Sequence, residues 1–515
     1  MSQADGKSEA KEAQPQPTAR GSLVDKGTGS FVGAVVALGG GATIAHIIAF
    51  GCAPVINRLF SPEAFGTAAM FAAIVLALGV VASLRYEAAL MLPASDADAA
   101  NLLVLSSLCV SVVSGLTAIL VWLLGDYVVG ALHAPQLARY KWLLPVGVLS
   151  WGLSLPLRSW AVRCKRFASL AMVDVAETSA SSGGRIGTAL AGVLGAGPLI
   201  VTGLVARALP AMLLAWRIVV TDISFIASNV TFGEIGRMAR LYVRFPLIDS
   251  TSTLLGQLSR QIPYILLGAL LGPAVVGHYS RAVLLTGLPI LILGNAVRQA
   301  LFQRVSAGVS AGDPVGEIVD HVMRRVIWLT ALPLAIVAVI GPEVFTVVLG
   351  GQWARAGLYA QLLAAWFFVE GMAAPLLPLV GVLDRLGSGL AFSVALVAGQ
   401  VAAVLAAARL FQSDVACIIF LVCVGVIAHG WLGVVVIRAA KASILAMAGC
   451  TLRALAMCLP VVGVLAGAKW WLRLSPWQMA LLAAIGAMGH YAIVFYRDRW
   501  IREWLVGIIL RPQSK

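Results

Sequence analysis

Residues 98–124 read DAANLLVLSSLCVSVVSGLTAILVWLL. From Ala99 to Leu124 no Asp, Glu, Lys or Arg interrupts the run, which is long enough to cross a hydrocarbon core of about 30 Å as a helix. Comparable apolar runs recur from Ser30 to Tyr496 with short polar breaks. They are rich in Ala, Leu and Gly and lack the two-residue alternation of a membrane barrel, so the spanning element is a helix. Composition agrees. The 515 residues are 60% hydrophobic and 12% charged, whereas soluble domains carry about a quarter charged residues.

Working outward from that run, spans are expected at 30–56, 63–91, 98–124, 140–162, 167–195, 198–220, 238–271, 274–306, 316–349, 356–382, 388–411, 415–438, 446–468 and 476–496. The fold class is therefore an all-α polytopic membrane protein of about 14 helices. The net charge of +14 sits in short clusters between the runs, so it reads as a topology signal, and nucleic acid is not an expected partner. With the N-terminus inside, 26 Lys and Arg fall on the inner side and 7 on the outer. Four more (Arg185, Arg207, Arg260 and Arg281) fall within spans. Both termini are thus expected in the cytoplasm.

A weak internal repeat divides the chain. Ser61-Pro62-Glu63-Ala64-Phe65-Gly66 opens the second span and Gly272-Pro273-Ala274-Val275-Val276-Gly277 the eighth, while Leu137-Ala138-Arg139-Tyr140 resembles Ala356-Gly357-Leu358-Tyr359. The offsets are 211 and 219 residues. Either six spans repeat as six in the same orientation, or Ala/Leu-rich helices resemble one another by chance. The expected organisation is a disordered cytoplasmic tail (1–28), a six-helix lobe (29–221), a polar cytoplasmic connector (222–236), a second six-helix lobe (237–440), an extra helix pair (441–496) and an amphipathic tail (497–515).

Chemistry is thin outside the spans. There is no G-x-x-x-x-G-K-[ST] phosphate loop and no H-E-x-x-H zinc motif. The six histidines show no ligand spacing, and the seven cysteines, without a C-x-x-C pair, read as small core residues. No cofactor or metal is expected, and no enzyme activity.

Polar groups inside spans are the functional candidates, because an ionisable group there needs a cavity or a partner. They are Asp249, Gln257 and Arg260 on the seventh span, and His278, Arg281, Asn295 and Arg298 on the eighth. His46 follows Gly39-Gly40-Gly41 on the first span, glycines that serve either as a hinge or for close helix packing. Arg85 and Glu87 close the second span. Asp174 and Glu177 are expected to pair with Arg163, Lys165 and Arg166. Arg207 and Glu370 either pair with each other or line a lumen. Arg260 and Arg281 stand out, since guanidinium grips phosphate bidentately and two of them in one cavity suit a diphosphate headgroup. The competing reading is a helix-holding pair of the Arg260–Asp249 kind.

Three stretches resemble the bacterial polysaccharide-transport family, oligosaccharide flippases of the multidrug/oligosaccharidyl-lipid/polysaccharide exporter superfamily. They are Arg58–Gly66 followed by Ser83-Leu84-Arg85-Tyr86-Glu87-Ala88-Ala89; Leu288-Pro289 through Gly294–Ser306; and Gln352-Trp353, Ala356-Gly357, Tyr359, Ala365–Phe368 and Pro375-Leu376. The resemblance implies two six-helix lobes in a V around a cavity lined by the first, second, seventh and eighth helices. It implies an alternating-access flippase for undecaprenyl-diphosphate-linked oligosaccharide in the bacterial inner membrane, serving lipopolysaccharide or exopolysaccharide synthesis. H⁺ or Na⁺ is its candidate coupling ion, and a polysaccharide polymerase and a chain-length regulator are its candidate partners. The last two helices resemble the extra pair of relatives that flip the peptidoglycan precursor. A drug or cation antiporter of the same superfamily is the first alternative and would need deep acidic residues. A membrane-embedded polymerase or acyltransferase is the second, and the lack of a long outer loop counts against it.

Overall fold

A computed structural model describes residues 31–131, 135–290, 297–298, 301–302, 304–306, 315–383 and 385–497. The expected tail at 1–28, the expected tail at 497–515 beyond its first residue, and Asn295 lie outside these residues.

The main helices are α1 (Phe31–Leu59), α2 (Pro62–Gly79), α3 (Asp96–Ala131), α4 (Leu144–Arg163), α5 (Phe167–Leu190), α6 (Ala196–Thr221), α7 (Ser250–Leu271), α8 (Pro273–Thr286), α9 (Gly316–Leu349), α10 (Ala354–Ala373), α11 (Leu386–Phe411), α12 (Asp414–Ala439), α13 (Ile444–Gly467) and α14 (Pro476–Arg497). Local chemistry sets their ends. Ser61 caps α2, its hydroxyl accepting from the Ala64 N–H at 3.2 Å, and Pro62 occupies the first turn where no donor is needed. Ser413 and Ser443 cap α12 and α13 in the same way.

Ten of the described helices are long and apolar enough to cross a membrane. The other four expected spans, α4, α5, α7 and α8, are shorter or more polar. They carry Arg158, Asp174, Glu177, Arg185, Arg260 and Arg281.

The helices form two bundles. In the first, α1 packs on α5, α5 on α6, α3 on α4, and α2 on α4 and α6. In the second, α9 packs on α10, α10 on α8 and α12, and α11 on α7 and α12. α2 is the main bridge, touching both α7 and α8, while α1 reaches α9. The last pair, α13 and α14, lies against α9, where Lys469 meets Glu343 at 2.9 Å.

Several boundaries differ from expectation. The second span stops at Gly79, and residues 80–85 form turns in which Leu84 and Arg85 take φ of 51° and 62°. The tenth ends at Ala373, where Pro375 and Pro378 remove amide donors. The polar connector is structured. It folds into short helices, Ile223–Asn229 and Phe232–Leu241, docked on the first bundle. Asp222, 1% exposed, receives Arg166 at 2.6 and 2.7 Å and the Trp160 indole N–H at 2.8 Å. Asn101 donates to the Asn229 carbonyl and Tyr86 to that of Ala239.

Candidate functional site

The two bundles meet at two ends, named here by Pro62 and Arg85. At the Pro62 end the contact is backbone against backbone. A Cβ on Gly66 would overlap the Pro273 carbonyl, and a Cβ on Gly277 would overlap the Pro62 carbonyl. Each proline opens its helix and each glycine sits four residues later, so the repeat seen in the sequence becomes a reciprocal contact. Around it, Gln352 and the Trp353 indole donate to the Asn57 carbonyl at 2.6 and 2.7 Å, and Arg58 donates to the Val347 carbonyl at 3.1 Å. Two of the three stretches carrying the resemblance thus contribute to this junction, through Arg58, Pro62 and Gly66 and through Gln352 and Trp353.

At the Arg85 end the link is a side-chain pair. The Arg85 guanidinium bonds Glu87 at 2.6 Å and reaches Asp249, at the start of α7, at 2.7 Å. Glu87 is buried and held by Ser83. The left-handed backbone at Leu84 and Arg85 turns the guanidinium toward the second bundle. Asp249 therefore partners Arg85 and not Arg260.

Helical spacing sets Gln257, Arg260 and Tyr264 on one face of α7. Tyr264 meets Tyr279 of α8 edge-on at 5.1 Å, and Arg260 is exposed. Arg281 faces elsewhere. With Arg185 of α5 and Arg207 of α6 it lines a cavity of about 150 Å³ walled by α2 residues including Phe65, Ala69 and Ala72. The expected Arg260–Arg281 pairing is replaced by this trio, because Arg281 lies against Phe65 of α2 whereas Arg260 is exposed and outside the cavity. The Arg281 guanidinium lies 4.3 Å from the Phe65 ring and Arg207 lies 4.6 Å from the Trp151 ring. The Arg185 Nε is buried without a hydrogen-bond acceptor.

Other candidates have local roles. His46 is exposed, its Nδ1 2.6 Å from the Ala42 carbonyl. Of the three glycines before it, Gly41 serves close packing: a Cβ there would lie 2.5 Å from that of Ala171, and α1 continues unbroken. Arg298 is exposed on a helical stretch. Asp174 and Glu177 both pair with Arg158, at 2.6 and 3.3 Å, while Arg163 takes Asp96 and Arg166 takes Asp222, a different assignment from the expected one. Arg207 and Glu370 do not pair; Glu177 and Tyr279 are their respective electrostatic neighbours. Arg185 and Arg207 are among the four intramembrane arginines of the sequence, but helix patterns alone carry no signal that brings them to Arg281.

Residues 55–357, more than half of the chain, match the family model described as polysaccharide biosynthesis protein. No curated protein matches the sequence. Among solved structures, the lipid II flippase MurJ in an inward closed conformation is similar with a TM-score of 0.67 at 12% identity, covering 88% of this chain and 98% of that one. A multidrug resistance MATE family transporter of the MOP superfamily, in an inward-facing conformation, is similar with a TM-score of 0.64 at 14% identity, covering 79% and 99%. At such identities the likeness is one of fold.

Proposed function

The chain belongs to the polysaccharide biosynthesis protein family, and from that premise we propose that it is a flippase carrying a diphosphate-linked oligosaccharide on a polyprenyl lipid, of the undecaprenyl type, across the bacterial inner membrane. The observation that carries this reading is the set of three arginines, Arg185, Arg207 and Arg281, around one interbundle cavity; among the described residues the one carboxylate neighbouring them, Glu177 beside Arg207, is itself paired with Arg158. Half-buried cations with no paired carboxylate are costly; Glu177 relieves this in part for Arg207, and an anionic headgroup offsets the remainder. A cation antiporter needs the opposite sign of charge.

The mechanism is a change in which end of the molecule is closed. In this structure the Pro62 end is sealed by backbone contact, while the Arg85 end is joined by one partly exposed ion pair. The excess of Lys and Arg on the segments at the Arg85 end supports a cytoplasmic position for that end. A headgroup entering there, between α2 and α7, meets Arg85 first and the arginine trio deeper. Parting the Pro62 contact while closing the Arg85 end releases it on the far side. No covalent step is needed.

The test is complementation of a strain lacking its own oligosaccharide flippase. Arg281→Gln, made at normal level in the membrane, should leave lipid-linked oligosaccharide accumulated inside and surface polysaccharide lost. Full complementation by Arg281→Gln removes the headgroup reading.

A further inference from the structure

We infer that a pocket at the Pro62 end of the second bundle, lined by His278, Arg355, Gln412 and Asp414, binds an uncharged sugar ring on the side opposite the Arg85 end. Its volume is about 410 Å³, within the range of about 300–1,000 Å³ usual for small-molecule sites. Three helix junctions meet there. The turn between α7 and α8 contributes Leu271, Ala274, Val275 and His278, the first turn of α10 contributes Arg355, and the turn between α11 and α12 contributes Gln412 and Asp414. None of these residues lines the arginine cavity.

The pocket is polar without a net charge. The Arg355 guanidinium donates through Nε and Nη2 to the Asp414 carboxylate, both at 2.8 Å, and the Tyr359 hydroxyl donates to the same carboxylate. The two charges cancel within this bidentate pair, so neither a free anion nor a free cation is favoured. Other groups are left for a ligand. Arg355 keeps its Nη1 amino group, the Gln412 amide has no hydrogen bond among the described residues, and the His278 Nδ1 is buried without a partner. An amide and a neutral imidazole each carry a donor and an acceptor, which matches a sugar hydroxyl that both donates and accepts. Leu271, Ala274 and Val275 supply an apolar wall for the C–H face of a ring.

Position links the pocket to the seal. His278 follows Gly277, whose backbone closes against Pro62, and its ring stands edge-on to Trp353 at 5.7 Å and to Tyr359 at 6.2 Å. Trp353 in turn donates to the Asn57 carbonyl of the first bundle. A sugar leaving by the Pro62 end, once that contact parts, meets the pocket beside it. Binding here does not depend on the flippase reading. That reading supplies only the source of the sugar, the oligosaccharide of the departing lipid.

The experiment uses the full-length protein in lipid nanodiscs, so that no sugar-bearing detergent competes. The probes are the methyl glycosides of glucose, galactose, mannose and N-acetylglucosamine. Binding is read by saturation-transfer NMR, and amide hydrogen exchange is followed over residues 271–278, 353–359 and 410–416. At least one glycoside should bind saturably, with a Kd on the order of 1 mM for so small a ligand, and should slow exchange in these segments. Two variants remove polar groups while sparing the fold. His278→Phe keeps a ring against Trp353 and Tyr359, and Gln412→Gly suits the left-handed φ of 48° at that position. Each should weaken binding about fivefold, the loss expected for an uncharged hydrogen bond.

The inference is overturned if none of the four glycosides binds, if both variants bind as tightly as the wild type, or if binding leaves exchange in the three segments unchanged. Displacement of the glycoside by acetate or phosphate at equal ionic strength would also overturn it, because the pocket would then be an anion site. The exchange measurement needs only the wild type, so a variant that fails to fold does not spare the inference. Complementation reads the flippase proposal separately. A protein that complements yet binds no glycoside keeps its function and loses this pocket, and the reverse pattern keeps the pocket and removes the function.

Discussion

At the residue scale, Asp222 holds the connector to the first bundle. Burial alone would raise its carboxyl. Hydrogen bonds from Arg166, Trp160 and Thr221, with the charge of Arg166, outweigh that and hold it below the usual carboxylate range. A carboxylate depressed in this way adds stability above its unfolded pKa of about 3.9, and the contribution is lost as pH falls through the lower folded value. Asp222→Ala removes a buried carboxylate that accepts from Arg166, Trp160 and Thr221, and should cost about 3–5 kcal/mol. The measurement is the thermal midpoint of the purified protein across pH: the wild type should weaken below about pH 4, and the variant should lose that part of the acid dependence. Asp249 behaves differently, since its side chain is 43% exposed. Asp249→Asn should change stability by no more than about 1 kcal/mol while lowering transport, and the swap Arg85→Asp with Asp249→Arg should recover part of it. Equal transport by Asp249→Asn and wild type would show that the pair does no gating.

At the scale of elements, α2 and α8 meet so closely that neither glycine tolerates a side chain. Gly66→Ala or Gly277→Ala forces the helices apart and should reduce transport at least tenfold, consistent with an overpacking cost of about 1–3 kcal/mol. Gly115→Ala on α3, where a Cβ meets nothing within 4 Å, is the control and should be silent. The element pattern was readable where apolar runs were long, as in α3, α9 and α12. It was not readable at residues 80–85, because Leu84 and Arg85 adopt left-handed backbone without the Gly or Asn that normally signals it. Nor was it readable in the connector, since the partners of Asp222 lie 56 and 62 residues earlier in the chain. The Pro62 and Pro273 motifs showed a repeat in sequence, but only packing shows that each glycine lands on the other motif's proline.

At the scale of the whole molecule, the charge bias predicts the topology. A cysteine placed at Trp142, which is half-exposed beyond the Pro62 end of α4, should react with an impermeant maleimide added outside cells. One placed at Phe232, 91% exposed on the connector, should react only after permeabilisation. The reverse pattern would invert the orientation. The candidate site was legible only in part: intramembrane arginines announced a cationic interior, but which of them meet depends on how α5, α6 and α8 rotate about α2, and single-helix patterns do not contain that. The most direct measurement is reconstitution of the pure protein in liposomes carrying a labelled polyprenyl-diphosphate oligosaccharide, with a glycosidase added outside. The wild type should expose the inner-leaflet pool to cleavage and Arg281→Gln should not, whereas an inner pool that stays protected with the wild type would contradict the account.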